Sequence, residues 1–367
     1  MRAKVEKQDI LPAVMRAVNV ADKRSVVQKL SNVLLDFSDG KLQVKATDLD
    51  HSIIENVPAA VDTFGSVAVP AHTLNDIVRK AADGAVLEFT LVDKGSKLLV
   101  NAGKSKFELS TWDCAEFPPI NTLKNTCCFN IKSADFVKLI NRTKFSMSNE
   151  ESRHNLNGIY LHKEDDRLKA ASTDGHRLSV SDISIDTKEN IQGVIISKKT
   201  VFEVKRILES FSGEVAISFS ANQVQFAAGE VIFISKLVDG VFPEYKRVIP
   251  EISGDFFYVK RADFIEIIDR VSIISDDKIR SIKLELSKNN LSCHVVNNKI
   301  GNGRDEVDVA YSGKEWSAGF NANYLLDVAQ TLQGEKLKVY VKESLSPILI
   351  VDESEPESLF VVMPMRI

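Results

Sequence analysis

Few stretches of this 367-residue sequence have residue types and spacing suited to chemistry. Asp174-Gly175-His176 sets a carboxylate two residues from an imidazole, a pairing able to move a proton. No motif marks a serine or cysteine nucleophile near it, so the turn reads as structural or as a binding contact. Gly103-Lys104-Ser105 ends like a phosphate-cradling loop, but Leu98 stands where that loop needs glycine. Phe107-Glu108-Leu109-Ser110-Thr111 then follows with a strand pattern where the loop needs a helix. Gly301-Asn302-Gly303-Arg304-Asp305-Glu306 lacks the third glycine of a dinucleotide loop and reads as a hairpin turn. The six histidines include no His-x-x-x-His pair, and Cys114, Cys127, Cys128 and Cys293 lack paired metal-ligand spacing. These residues do not describe an enzyme, and they imply no cofactor or metal.

Positive charge is more informative. Arg16, Arg142 and Arg270 lie 126 and then 128 residues apart. Arg79 and Arg206 lie 127 apart, with Gln330 at the corresponding place in the last third. Lys80, Lys138, Lys198, Lys199 and Lys205 add to the same segments. If those segments line the inside of an arc, a rod of phosphates on its axis would be held by counterion release, without base reading. The formal net charge is −4, so a basic face requires acids segregated elsewhere. The plainer reading is a set of solvated helix faces on a three-repeat protein–protein scaffold that never meets DNA.

The elements that must carry these residues recur three times. Val5-Glu6-Lys7-Gln8-Asp9-Ile10 matches Ile131-Lys132-Ser133-Ala134-Asp135-Phe136 and Val259-Lys260-Arg261-Ala262-Asp263-Phe264, each reading as a short strand entering a helix. Second helices start near Thr73-Leu74-Asn75-Asp76, Thr200-Val201-Phe202-Glu203 and Tyr324-Leu325-Leu326-Asp327, the first two as capping boxes. Leu74, Ile77, Val78 and Ala81 have helical spacing, as do Phe264, Ile267, Ile268 and Val271. Strict alternation marks half-buried strands at Leu42, Val44 and Ala46, at Val215, Ile217 and Phe219, and at Leu337, Val339 and Val341. The fold class is therefore α+β, three tandem copies of two helices packed on antiparallel sheets. Proline-rich joints at Phe117-Pro118-Pro119 and Phe242-Pro243 to Ile249-Pro250 place domains at 1–121, 122–250 and 251–367. Equal domains from one unit imply an arc or ring.

The end of the chain is apolar. Val361-Val362-Met363-Pro364-Met365-Arg366-Ile367 reads as a docked final strand closing the last sheet, its methionines lining a groove that partners use. No apolar run is long enough to cross a bilayer, and Met1–Lys7 lacks the apolar core of a signal peptide, so a cytoplasmic protein is expected.

Several motifs resemble the β subunit of bacterial DNA polymerase III, the sliding clamp. They are Thr173-Asp174-Gly175-His176-Arg177-Leu178, Lys236-Leu237-Val238-Asp239-Gly240-x-Phe242-Pro243-x-Tyr245-x-Arg247-Val248-x-Pro250, Val361-Val362-Met363-Pro364-Met365-Arg366, Leu156-Asn157-Gly158 and Tyr311-Ser312-Gly313. The resemblance implies a head-to-tail homodimer, a ring of six domains around double-stranded DNA. Partners would be the polymerase III catalytic subunit, the clamp loader, and other polymerases and repair proteins carrying a clamp-binding peptide. It implies a peptide pocket from Leu156, Thr173, Gly175, His176, Arg177, Leu178, Pro243, Arg247, Val248, Asn321, Tyr324, Ser346 and Val361, Val362, Met363, Pro364, Met365 and Arg366. Ile279 and Leu345 stand at its rim where the family's pattern differs. DNA-facing positions would be Arg16, Arg24, Arg79, Arg142, Lys198, Lys199, Arg206 and Arg270, with His154 and Asn155 replacing a family tyrosine pair. The dimer seam would set Lys104, Lys106 and Phe107 against Ile273, Ile274, Asp305 and Glu306.

Overall fold

The computed structural model describes residues 1–23, 28–123, 127–189, 191–252, 254–276 and 279–366. Arg24, one of the expected DNA-facing residues, lies outside them. The α-helices among the described residues are α1 (Lys7–Val20), α2 (Ala71–Lys80), α3 (Ser133–Thr143), α4 (Lys198–Glu209), α5 (Arg261–Ser272) and α6 (Ala322–Thr331). Helices α1, α3 and α5 each follow a short strand directly, as the repeated opening predicts. Phe264, Ile267, Ile268 and Val271 of α5 are buried, as are Leu74, Ile77 and Val78 of α2. Burying one such stripe against a sheet supplies most of a short helix's stability.

The starts of the second helices differ from the expected capping boxes. Helix α2 begins at Ala71 behind Pro70, so Thr73 lies inside its first turn. Helix α4 begins at Lys198, and Ser197 Oγ accepts from the Thr200 N–H at 3.2 Å. Asn321 caps α6, accepting from the Asn323 N–H at 2.9 Å. In all three the preceding strand ends one residue before the helix. The last strand residue must therefore serve as the cap, and serine and asparagine do so well.

By contact the chain forms two compact units. The first comprises Met1–Ala134 and Phe202–Leu237. It holds a five-stranded sheet ordered Ala60–Thr63, Arg2–Glu6, Val86–Val92, Lys97–Ala102 and Ser105–Ser110. Its eight-stranded sheet runs Cys127–Lys132, Glu214–Phe219, Gln223–Ala228 and Val231–Lys236, then His51–Pro58, Lys41–Thr47, Asn32–Ser38 and Gly65–Pro70.

The second unit comprises Asp135–Val201 and Val238–Ile367. Its eight strands run Val194–Ser197, Gly158–Glu164, Arg167–Thr173 and Arg177–Ser184, then Ser358–Val362, Ile348–Val351, Lys336–Val341 and Asp255–Lys260. A four-stranded sheet, Gly301–Asp308, Asn290–Asn297, Ser281–Ser287 and Trp316–Asn321, completes it.

The sheets run across the joints between thirds. Val231–Lys236 pairs antiparallel with His51–Pro58, and Arg177–Ser184 with Ser358–Val362. The middle third is thus divided between the two units. The C-terminal strand, expected to close the last sheet, is instead an interior strand between Ile348–Val351 and Arg177–Ser184.

These joints follow the repeat. His51–Pro58, Arg177–Ser184 and Gly301–Asp308 begin 126 and then 124 residues apart, while Ser105–Ser110, Val231–Lys236 and Ser358–Val362 begin 126 and then 127 apart. Each observed joint uses one strand from each set. The unused pair, Ser105–Ser110 and Gly301–Asp308, are both edge strands of their sheets.

Gly301–Glu306 is therefore strand, not the expected hairpin turn. The turn precedes it, closed by the Ile300 N–H donating to Asn297 O at 3.2 Å. Gly303 serves close packing, since a Cβ there would meet Ile274 Cδ1 at 3.2 Å.

Candidate functional site

Residues Thr173 to Arg177 form the reversal between strands Arg167–Thr173 and Arg177–Ser184. Asp174 Oδ1 accepts from the N–H groups of His176 (2.9 Å) and Arg177 (3.0 Å). Thr173 Oγ1 accepts from the Gly175 N–H at 3.0 Å and donates to Arg177 O at 2.6 Å. Gly175 has φ +89°, a left-handed conformation that glycine adopts without steric cost. Asp174 thus builds a turn, and the Asp–His pair of the sequence does backbone work.

Arg177 joins this turn to α6. Its Nε donates to Asp174 Oδ2 at 3.0 Å, Nη1 to Asp327 Oδ2 at 2.5 Å, and Nη2 to Phe145 O. The guanidinium carbon lies 4.4 Å from the Tyr324 ring centroid, at cation–π distance. The His176 ring stacks on Tyr324 with centroids 6.4 Å apart. The tail then closes over the same ground. Met363 N–H donates to His176 O at 2.8 Å and Met365 N–H to Gly319 O at 2.9 Å, while Asn321 Nδ2 donates to Ile279 O at 3.2 Å. Thr173, Gly175, His176, Arg177, Ile279, Asn321, Tyr324 and Met363 to Met365 are therefore brought together as one rim.

Leu156, Leu178, Val361 and Val362 differ from the expected open lining. The first three pack in a buried cluster with Phe242, Tyr245 and Leu349, and Val361 is 1% exposed. Val362 lies in the core of the last third. Leu156, Leu178 and Val361 form a floor beneath the rim, with Leu178 and Val361 paired across the two strands, while Val362, the next residue along, faces the other side of the sheet. The apolar side chains left open are Met363, Ile279, Val248 and Leu345. Pro243, Arg247, Val248, Leu345 and Ser346 stand on two loops braced internally, Arg247 to Glu244 at 2.5 Å and Ser346 N–H to Glu343 O at 2.9 Å. Pro364 is half-buried and Arg366 exposed.

An aromatic stack anchors the strap from Phe242 to Val248, a role not evident in the sequence. Tyr160 lies between Phe242 (4.9 Å, 2° interplanar) and His162 (4.8 Å), and Tyr245 Oη is 3.2 Å from His162 Nε2. Only the Phe-Pro-x-Tyr spacing in the joint hinted at it. Burial lowers the His162 pKa from its ordinary 6.5, with Lys246 and Lys169 acting the same way and Glu164 opposing them. The neutral ring is favoured in the fold, so its contribution is full above pH 6.5 and is lost as pH falls below that value. Between about pH 7.5 and about pH 5.5 the urea midpoint should fall in the native protein, and less so in His162→Gln. An equal fall in both would show that His162 is not the group responsible.

The helix arginines arrive with anions. Arg16 sends Nε and Nη2 to Glu55 at 2.8 and 2.5 Å. Arg79 pairs with Asp76 (3.0 Å), Arg206 with Glu203 (2.9 Å), and Arg270 with Glu266 (2.9 Å) and Asp305 (2.7 Å). Arg142 is the exception to its expected DNA-facing role. Its side chain is 4% exposed, paired with Glu355 and donating to Thr331 O at the end of α6. Sharing a repeat position gives it the same angle on the helix, but in this copy the 352–358 turn covers that angle. Lys138 beside it pairs with Glu357 at 2.6 Å. Lys198 donates to Asn149, Lys199 is half-buried, His154 is exposed, and Asn155 Nδ2 donates to Val241 O at 2.9 Å.

At the two open edges, Lys104, Lys106 and Phe107 are exposed, and Phe107 borders a hollow of about 410 Å³ with Ile77, Lys80 and Leu109. Ile273 is 77% exposed beyond α5, while Ile274 packs half-buried on the core. Asp305 already has a partner, because Arg270 donates to it and holds its carboxyl below the ordinary value. Glu306 lies 3.7 Å from Arg304. Among the described residues no cluster could hold a metal, and no helix is long and apolar enough to cross a membrane.

Repeated α+β copies with sheets continued across their joints, open edge strands and a rim on an apolar floor define a DNA-polymerase processivity clamp. Family profiles for the DNA polymerase III beta subunit match throughout, the N-terminal domain at residues 1–121, the central domain at 130–244 and the C-terminal domain at 246–366. The beta sliding clamps of Caulobacter vibrioides (strain NA1000 / CB15N) and Escherichia coli (strain K12) are 34% and 33% identical, each aligned over 100% of both chains. The crystal structure of a sliding clamp from Bartonella birtlesii bound to griselimycin superposes with TM-score 0.96 at 36% identity, covering 100% of both chains. The chain belongs to the DNA polymerase III beta subunit family. It is a sliding clamp, a non-catalytic subunit of the polymerase holoenzyme.

Proposed function

We propose that two copies close head to tail into a ring around duplex DNA, and that client proteins dock through a short peptide on the Arg177–Met363 rim. The observation that carries ring closure is the unused pair of edge strands. Two joints of the repeat pair a strand of each set, and Ser105–Ser110 with Gly301–Asp308 of a second copy would make the missing joint by the same rule. Phe107 and its hollow would receive Ile273, with Lys104 and Lys106 facing Asp305 and Glu306 across the rim of the seam. The domains would be 1–121, 122–250 and 251–367.

Enclosure replaces affinity in this reading. Contacts as weak as roughly 10⁻⁴–10⁻⁶ M suffice once the ring is shut, and they leave it free to slide. On the rim, Met363, Ile279, Val248 and Leu345 offer apolar surface, while Arg177, His176 and Asn321 supply polar anchors for an extended peptide. Flexible Met363 and Met365 suit a site shared by the polymerase III catalytic subunit, the clamp loader, and other polymerases and repair proteins. Griselimycin, bound by the Bartonella clamp, is expected to bind here too. The setting for this work is the cytoplasm.

Loaded onto nicked circular DNA, the protein should stay bound through gel filtration and be lost after the circle is cut. Equal retention on circle and linear product would refute enclosure.

A further inference from the structure

Of the five described arginines at candidate DNA-facing positions, two are out of play. Arg142 is buried, and Arg16 grips the buried Glu55 with two nitrogens. The other three keep more than half of their side chains exposed: Arg79 at 59%, Arg206 at 55% and Arg270 at 54%. Each is held by a carboxylate one turn earlier on its own helix, Asp76 and Glu203 at i−3 and Glu266 at i−4. Both oxygens of Glu203 lie 2.9 Å from Arg206 Nη1.

We propose that these carboxylates are built-in counter-anions, occupying the guanidiniums until a phosphate displaces them and so setting how loosely the clamp holds DNA. The inference rests on the ring reading above. An arginine that neutralises a phosphate normally gains by freeing cations condensed on the DNA. Here the arginine already holds an anion fixed to the same helix, so capture of a phosphate must also break that ion pair. The displaced carboxylate also stays beside the phosphate, and like charges repel. An arginine with an anion to return to can leave one phosphate before it reaches the next, which lowers the barrier to sliding. A pair at this spacing, acid before base, also stabilises the helix. That role alone predicts no change in DNA behaviour.

The test is the full-length dimer carrying Glu203→Gln and Glu266→Gln. Asp76 is left in place because it lines the hollow beside Phe107. Arg270 keeps Asp305, so one arginine is fully released and one partly. Binding to a short duplex, followed by fluorescence anisotropy against salt, should steepen in log–log slope by about 1 to 2. Single-molecule diffusion of the ring on DNA should slow several-fold. A charge-matched control, Glu88→Gln with Glu285→Gln, removes carboxylates paired to Lys4 and Lys283 on strands and should leave both readouts unchanged. An unchanged slope in a ring still retained on circular DNA would overturn the inference and spare the ring reading. Equal steepening in the control would overturn it too, assigning the effect to net charge. Loss of retention on circles by the unmodified protein would remove the ring reading and the inference with it.

Discussion

Arg142→Ala is expected to destabilise the protein by about 3–5 kcal/mol while leaving retention on circular DNA intact wherever the protein remains folded. The guanidinium bridges Glu355 and the Thr331 carbonyl inside the second unit. Removing it leaves a carboxylate that is 9% exposed with only Lys138, at 3.6 Å, as countercharge, and the end of α6 without a donor. Most of the cost is that buried charge left with its weaker partner. A paired apolar replacement, Arg142→Met with Glu355→Leu, should therefore recover much of the loss. Urea denaturation of the two single variants and the double variant measures this directly. A stable Arg142→Ala protein with weakened DNA contact would show that the arginine opens toward DNA in solution. The sequence repeat would then have been the better guide.

Two truncations should differ sharply. Removing Met363–Ile367 takes away the bonds to His176 and Gly319 and the exposed Met363, but leaves every residue of strand Ser358–Val362. That protein should fold, dimerise and lose client-peptide binding by at least tenfold, about 1.4 kcal/mol. Removing Ser358–Ile367 instead takes an interior strand from an eight-stranded sheet, together with fully buried Phe360, Val361 and Val362. Burial of such side chains is worth roughly 1.5–3 kcal/mol each, and two neighbouring strands would lose their pairing, so the second unit should not fold. Circular dichroism and peptide titration of both proteins check the contrast. Retained peptide binding by the shorter deletion would move the client site elsewhere.

Periodicity made the helices and most strands readable, because a buried stripe imposes spacing whatever the neighbouring element is. The capping boxes failed because the cap is decided by where the preceding strand stops, a property of the junction rather than of the helix. Gly301–Glu306 failed because Gly303 permits close packing on Ile274, and glycine in a strand looks like glycine in a turn. For the site, the family resemblance proposed Thr173, Gly175 to Arg177, Asn321, Tyr324 and the methionines, which the fold gathers on one rim. It could not separate open lining from buried interior in Val361, Val362, Leu156 and Leu178, since apolar residues serve either place.

From the chain of residues alone came three copies of one unit, the absence of a catalytic constellation, and the set of arginines spaced by the repeat. Tertiary structure decided which of those arginines stay open to solvent, since burial and ion pairing depend on what packs over each copy. It also decided which strands meet across the joints, and so which two edges are left open. Pairing across a joint joins segments more than a hundred residues apart in sequence, and no local pattern records such a partner.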